Sequence, residues 1–214
     1  MTLRLVSPIV CAMSDRRTRI VEAATGLICR NGFQQTSVDD VIREAGLCGK
    51  AHFYHYFKSK EELGYAVVQH RFEQFAEHGL AILRDPMIDP LERLDRFIDA
   101  EVASQAEQEC RGGCPFGNLA TEMADAHEGF RQRLATVFER WSGQLQSVLW
   151  EARPHLRDDV DIARMARFII ATLEGALMMS RVTRDVAHME AIAGDLKRFI
   201  AAQRREMPAV SVVP

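Results

Sequence analysis

Long apolar runs are missing from this chain. Nothing in its 214 residues approaches the ~20 consecutive apolar residues of a membrane-spanning helix, so no membrane partner is expected. The opening stretch MTLRLVSPIVCAMS is interrupted by Pro8 and is followed by no small-x-small cleavage site. Residues 1–13 therefore read as a disordered leader rather than an export signal. Cysteine is scarce and irregular. Cys11, Cys29, Cys48, Cys110 and Cys114 make an odd set without a disulfide framework, which argues for reduced thiols and a cytoplasmic protein. A Gly-rich phosphate loop, a GxSxG elbow and an HExxH pair are also absent, so catalysis lacks support and neither cofactor nor metal is expected. There is no internal repeat and no low-complexity tract.

What is present is an uneven charge. The net charge is only −3, yet residues 14–60 hold 8 Lys/Arg against 5 Asp/Glu, while residues 61–214 hold 18 against 25. A basic segment on an acidic body suits contact with nucleic acid through one face. Within that segment Ile20, Ala24, Leu27 and Ile28 mark an amphipathic helix over about 15–30, stopped by Asn31-Gly32. Ser37 caps a second helix, with Asp40 completing a capping-box pair and Val38, Val41, Ile42 and Ala45 forming its buried stripe. Gly46 ends it.

A third short helix, about 49–56, buries Phe53 and Phe57 and turns Lys50, Ala51, His52, Tyr54 and His55 outward. Two short helices joined by a tight turn make a helix-turn-helix, whose second helix enters a DNA major groove. Lysine supplies phosphate charge or a guanine contact, alanine admits a thymine methyl, and His or Tyr donates to phosphates. Thr36 and Ser37, with Lys58 and Lys60 at the next helix start, are further candidates for holding phosphates. The alternative is a small helical core with a solvated basic rim. A metal pair at His52 and His55 is disfavoured by its place on the DNA face.

The run AGLCGKAHFYHYFKSKEEL resembles the signature of the TetR family: a Gly-hydrophobic turn, an aromatic-Tyr-His-aromatic helix, then Lys-Ser-Lys-Glu-Glu-Leu. The likeness covers about residues 15–65 closely and the remainder in outline. Between Gly46 and Phe53 this chain is one residue longer than the usual turn, and Cys48 or Gly49 stands where the family has Ser or Thr, leaving the helix start open by one position. The resemblance implies an all-α fold: a three-helix DNA-binding domain at 14–60 (helix-turn-helix about 37–56) and a helical effector-binding and dimerisation domain at 61–206, before a loose tail at 207–214. It further implies a homodimer, mostly a repressor in this family, released from a palindromic double-stranded DNA operator by a small-molecule effector.

The second domain carries weaker signals. A helix capped by Ser59 is expected to run to Arg84, a second from Leu91 to about Glu109, and a longer one to just before Pro154. Two last helices, about 160–180 and 185–203, present Ile162, Met165, Ile169, Leu173, Leu177, Met189, Ile192, Leu196 and Phe199 as a dimer surface, or else as plain monomer core. Phe75, Phe97, Phe116, Met123, Trp141 and Met178 are candidate cavity-lining residues, with Glu101 and Glu122 as acids that could select a cation. The segment GGCPFGNLATEMAD is a candidate trigger. Its Cys114 reads either as a thiol sensor aided by Arg111 or as a small buried side chain. Rival classes are a helical enzyme using Cys114 and an adaptor that kept the reader without binding DNA.

Overall fold

The computed structural model describes residues 8–205, with side chains described from residue 16. The expected leader and tail fall largely on residues outside this span. Residues 8–13, read as loose, instead open the first helix: Pro8 is its first residue, where the missing N–H costs nothing. Among the described residues the chain is helical throughout, in the order α1 (Pro8–Asn31), α2 (Val38–Glu44), α3 (Lys50–Tyr56), α4 (Lys60–His78), α5 (Pro90–Glu107), α6 (Pro115–Met123), α7 (Glu128–Glu151), α8 (Ile162–Thr183) and α9 (Val186–Ala201).

Local chemistry sets these boundaries. Ser37 and Asp40 form the capping box of α2. Asp89 accepts the N–H groups of Leu91 and Glu92, and Pro90 opens α5. Asp161 and Asp185 cap α8 and α9 in the same way. The helix α4 stops at His78 rather than Arg84. Gly79 and Leu80 both donate to the Phe75 carbonyl, and a 3-10 turn at Ile82–Arg84 lets Leu80 and Leu83 reach the core.

The chain divides into two compact units, and the division is not the expected single cut near residue 60. Unit 1 holds residues up to Gln74 together with Pro115–Ala135; unit 2 holds Phe75–Cys114 and the chain from Thr136 onward. The extra piece of unit 1 is there for packing reasons. Phe130, from the start of α7, meets Phe33 edge-on at 4.7 Å. Both rings press on Gly64 of α4, where a Cβ would lie 2.5 Å from Phe130 and 2.6 Å from Phe33. Glu122 of α6 accepts the backbone N–H groups of Phe33 (2.8 Å) and Gln34 (2.6 Å), two donors that no helix ladder satisfies.

Unit 2 is built round Phe97, Trp141, Leu94, Leu145 and the inner stripe of α8. Arg93 is buried at its edge, donating to the Leu83 carbonyl at 2.9 Å and pairing with Glu151 at the end of α7. Arg153 ties the loop before α8, donating to the carbonyls of Arg157, Asp158 and Val160.

Candidate nucleic-acid interface and effector residues

The second helix of the reader starts at Lys50. Its N-cap is Gly49 at φ 149°, a backbone that L side chains rarely adopt, and no side chain caps it. That geometry settles the start left open between Cys48 and Gly49. Phe53 and Phe57 are fully buried and fix the helix's inner face. Lys50, Ala51, Tyr54 (51% exposed) and His55 stand on the outer face, with His52 half-buried.

Several of these groups already have partners. Lys50 Nζ lies 3.2 Å from Asp39 on α2, with both side chains more than half exposed. Such a surface pair is worth about 0–1 kcal/mol, so a phosphate can displace the carboxylate. Arg16 of α1 donates to His52 Nε2 at 3.2 Å; a guanidinium has only donors, so that ring nitrogen is the acceptor. Lys58 is exposed, and its backbone N–H donates to Glu62 at 2.7 Å.

Three expected phosphate ligands are placed otherwise. Thr36 is 1% exposed and donates its hydroxyl to the Gly32 carbonyl at 2.8 Å. Ser37 is exposed, but its hydroxyl donates to Asp40 at 2.6 Å and accepts the Asp40 N–H at 3.1 Å. The Ser37 hydroxyl, and after it the Ser37 backbone N–H at 3.0 Å, donate to the Asp40 carboxyl and hold it below its ordinary value. Lys60 Nζ donates to the Gln34 carbonyl at 3.1 Å and sits 4.5 Å over the Phe33 ring, and burial lowers its ammonium pKa. All three serve the loop between α1 and α2. Conversely, Arg16 and Arg19 were not singled out in the sequence. They line a notch of about 130 Å³ with the Gly46–Cys48 turn and His52. Their only sequence signal was a place on the polar side of α1.

In unit 2 the expected effector residues come together in part. Phe75 meets Trp141 at 5.1 Å and Phe97 at 6.3 Å, and Phe97 meets Trp141 at 6.4 Å. Glu101, one turn beyond Phe97 on α5, is part-buried. Burial first, and the like charge of Glu174 on α8 second, push its carboxyl up to about 7. Burial also raises Glu174, against a hydrogen bond from Cys114. That hydrogen bond makes the Cys114 thiol a donor to Glu174. Arg111, expected to assist, pairs with Glu109 at 3.1 Å.

Other members of the expected set lie elsewhere. Phe116 and Met123 are buried in unit 1, where Phe116 meets Phe72 at 6.4 Å and Met123 Sδ accepts from Gln34 Nε2 at 3.9 Å. Glu122, a candidate for cation selection, is taken up by the Phe33–Gln34 loop. Met178 is 64% exposed and points out of the core.

The proposed dimer surface is largely turned inward. Ile162, Met165, Ile169, Leu173, Leu177, Met189 and Leu196 are buried within this one chain, because α8 and α9 pack these stripes against their own unit. Ile192 is half-buried and Phe199 is 41% exposed. The outward apolar residues are Phe168, Met178, Met179 and Val182 on α8, with Phe168 meeting Phe199 of α9 at 4.7 Å.

Comparison with known proteins matches residues 20–67 to the family model described as bacterial regulatory proteins, tetR family, and residues 90–194 to a tetracyclin repressor-like C-terminal domain. An HTH-type transcriptional regulator from the lacX 3′ region of Lactococcus lactis subsp. lactis is 29% identical over 180 residues, spanning 83% of this chain and 89% of that protein. The HTH-type transcriptional repressor NemR of Escherichia coli K12 is 20% identical over 193 residues, 87% of this chain and 94% of its own. A solved TetR transcriptional regulator from Chloroflexus aurantiacus J-10-FL superposes with a TM-score of 0.81 at 29% identity, covering 91% of this chain and 98% of that one.

Proposed function

The chain belongs to the TetR family of transcriptional regulators, and from that premise we propose that it is a repressor: a homodimer that holds a palindromic operator and releases it when a small molecule enters unit 2. The observation that carries the DNA half is the outer face of α3. It combines a cation in a weak, displaceable ion pair (Lys50), a small side chain (Ala51) and exposed donors (Tyr54, His55) on a helix anchored by two buried phenylalanines. Lys58 and the Arg16–Arg19 notch are the phosphate contacts favoured on either side of it, in place of Thr36, Ser37 and Lys60. The repressor role is supported by the likeness to NemR of E. coli, an HTH-type transcriptional repressor.

Dimerisation is supported by the exposed stripe Phe168, Met178, Met179 and Val182 with Phe199, a larger apolar face than scattered single residues would give. A two-fold pair places two readers about one DNA turn, ~34 Å, apart. Release is a population shift: an effector that prefers another reader spacing draws the dimer away from DNA. The division between units falls inside α4 and α7, so each of these helices belongs to both and is suited to carry that shift. Among the described residues no helix is long and apolar enough to cross a membrane.

Selecting bound fragments from the source genome with purified protein tests the reading. The expected result is enrichment of a two-fold symmetric site whose capture is lost on Tyr54→Ala. No enrichment above bulk DNA would leave an adaptor as the reading.

A further inference from the structure

The interior of unit 2 holds polar groups that its own fold does not satisfy. Phe97, Glu101 and Gln105 follow one another at four-residue steps on α5 and so share a face, about 6 Å apart along the helix. Gln105 is 4% exposed and its Oε1 accepts from no described group; Trp141 is 2% exposed and its Nε1 donates to no described group. Glu174 on α8 takes the Cys114 thiol, while its buried Oε1 has no partner among the described residues. No described group donates to the Glu101 carboxyl, and the charge acting on it is that of Glu174 rather than of any cation. Buried polar atoms are almost always partnered, so three acceptor groups and two donors, Trp141 Nε1 and Arg93 Nε, left open among the described residues of unit 2 call for something that completes them.

The open acceptors outnumber the open donors and two of them are carboxyl groups, which selects a ligand rich in N–H groups and positively charged. The rings beside them select an apolar or aromatic body, since an aromatic face also attracts a cation. We propose that this corner of unit 2 is the recognition subsite for an organic cation, an aryl amidinium or arylalkyl ammonium, whose head lies on Glu101, Glu174 and Gln105 and whose body lies on Phe75, Phe97 and Trp141. The inference rests on the effector reading above and narrows it to one ligand class. It also gives Cys114 a positioning role, holding Glu174 by its thiol.

The test uses the full-length protein carrying Trp150→Phe, which removes an exposed tryptophan and leaves Trp141 as the fluorophore. Benzamidinium and phenylbutylammonium are titrated beside their neutral counterparts benzamide and phenylbutanol up to millimolar concentration. Each cation is expected to bind at least ~10-fold more tightly than its neutral counterpart, and Glu101→Gln with Glu174→Gln to abolish that preference while neutral binding stays unchanged. Equal binding of cations and neutrals, or a preference that survives the double substitution, would overturn the proposal. Glu174→Gln alone, which keeps the shape of the site, guards against a folding defect; its melting temperature is expected at or above that of the parent. Release from an operator fragment is followed in parallel. A carboxyl-dependent preference without release upholds the subsite and removes the release mechanism. Release by the neutral compounds alone removes the subsite and leaves the mechanism standing.

Discussion

The two units put their polar chemistry in opposite places. In unit 1 the groups that matter for DNA stand on the outside of α3, and three inward polar groups are consumed: Thr36 by Gly32, Glu122 by the Phe33–Gln34 backbone, Lys60 by Gln34. In unit 2 the outside of α8 carries an apolar stripe, and most of the described unsatisfied atoms lie within: Gln105 Oε1, Trp141 Nε1, Glu174 Oε1 and Arg93 Nε, against Arg71 Nε alone in unit 1. A reader of a charged polymer needs a settled interior behind a polar face. A receptor for a small molecule needs an interior left incomplete, with an apolar exterior free for a second subunit. The same polar-to-neutral substitution should therefore cost binding in one unit and gain stability in the other.

The contrast breaks most sharply on α3, where neighbours face opposite ways. Phe53→Ala empties a fully buried position and is expected to cost about 3–5 kcal/mol, read as a collapse of the thermal transition together with operator binding. Tyr54→Ala, one residue on, should leave the melt unchanged and lower operator affinity alone. If both act on stability alike, the outer face is not a binding face. On α8 the corresponding pair is Leu173 and Met178. Leu173→Ala should cost about 2–5 kcal/mol within the subunit, whereas Met178→Asp should turn a dimer into monomers in sedimentation with the subunit still folded. A dimer that persists in Met178→Asp would move the interface off this stripe.

These helices also explain what the sequence could and could not tell. The boundaries of α2 and α3 rest on interactions spanning at most four residues, Ser37 with Asp40 and Gly49 with Phe53, so a local pattern finds them. The fates of Thr36 and Lys60 depend on which carbonyl lies nearby. For Lys60 that is Gln34, 26 residues away, and charge alone reads as a phosphate contact. On α8 the spacing found the strongest apolar stripe and offered it either as an interface or as core. Its own core took it, and the weaker stripe through Phe168 and Met178 was left outside. Glu174 and Gln105 carry no signal in the sequence, because a lone acid or amide on a helix means nothing until the fold shows which of its atoms are buried without a partner.

Smaller effects separate the units further. Glu122→Ala leaves two backbone N–H groups of unit 1 without their acceptor and is expected to cost about 1–3 kcal/mol of its stability, with weaker operator binding following from the loosened α1–α2 loop. Glu101→Gln should do the reverse in unit 2. A carboxyl raised to about 7 favours the folded state in its neutral form, so its contribution is full below the ordinary glutamate range and fades as pH rises through about 7. The variant should match the parent's melting temperature near pH 5 and exceed it near pH 8, values chosen on either side of about 7. Equal melting curves at both values would mean that Glu101 is better solvated than its surroundings suggest.

The smallest effect tests the reader's rim. Binding that neutralises phosphates releases counterions, so the logarithm of affinity falls linearly with the logarithm of salt, with a slope of about −0.9 per phosphate contact. Lys58→Ala removes an exposed ammonium and should flatten that slope by about 1 without changing the melt. Lys60→Ala is the sharper control, because its ammonium is tied to Gln34 and lies over Phe33. It should lower stability and leave the slope almost unchanged. If Lys60→Ala flattens the slope as much as Lys58→Ala, the ammonium leaves its loop when DNA arrives, and the settled interior of unit 1 is less settled than its hydrogen bonds imply.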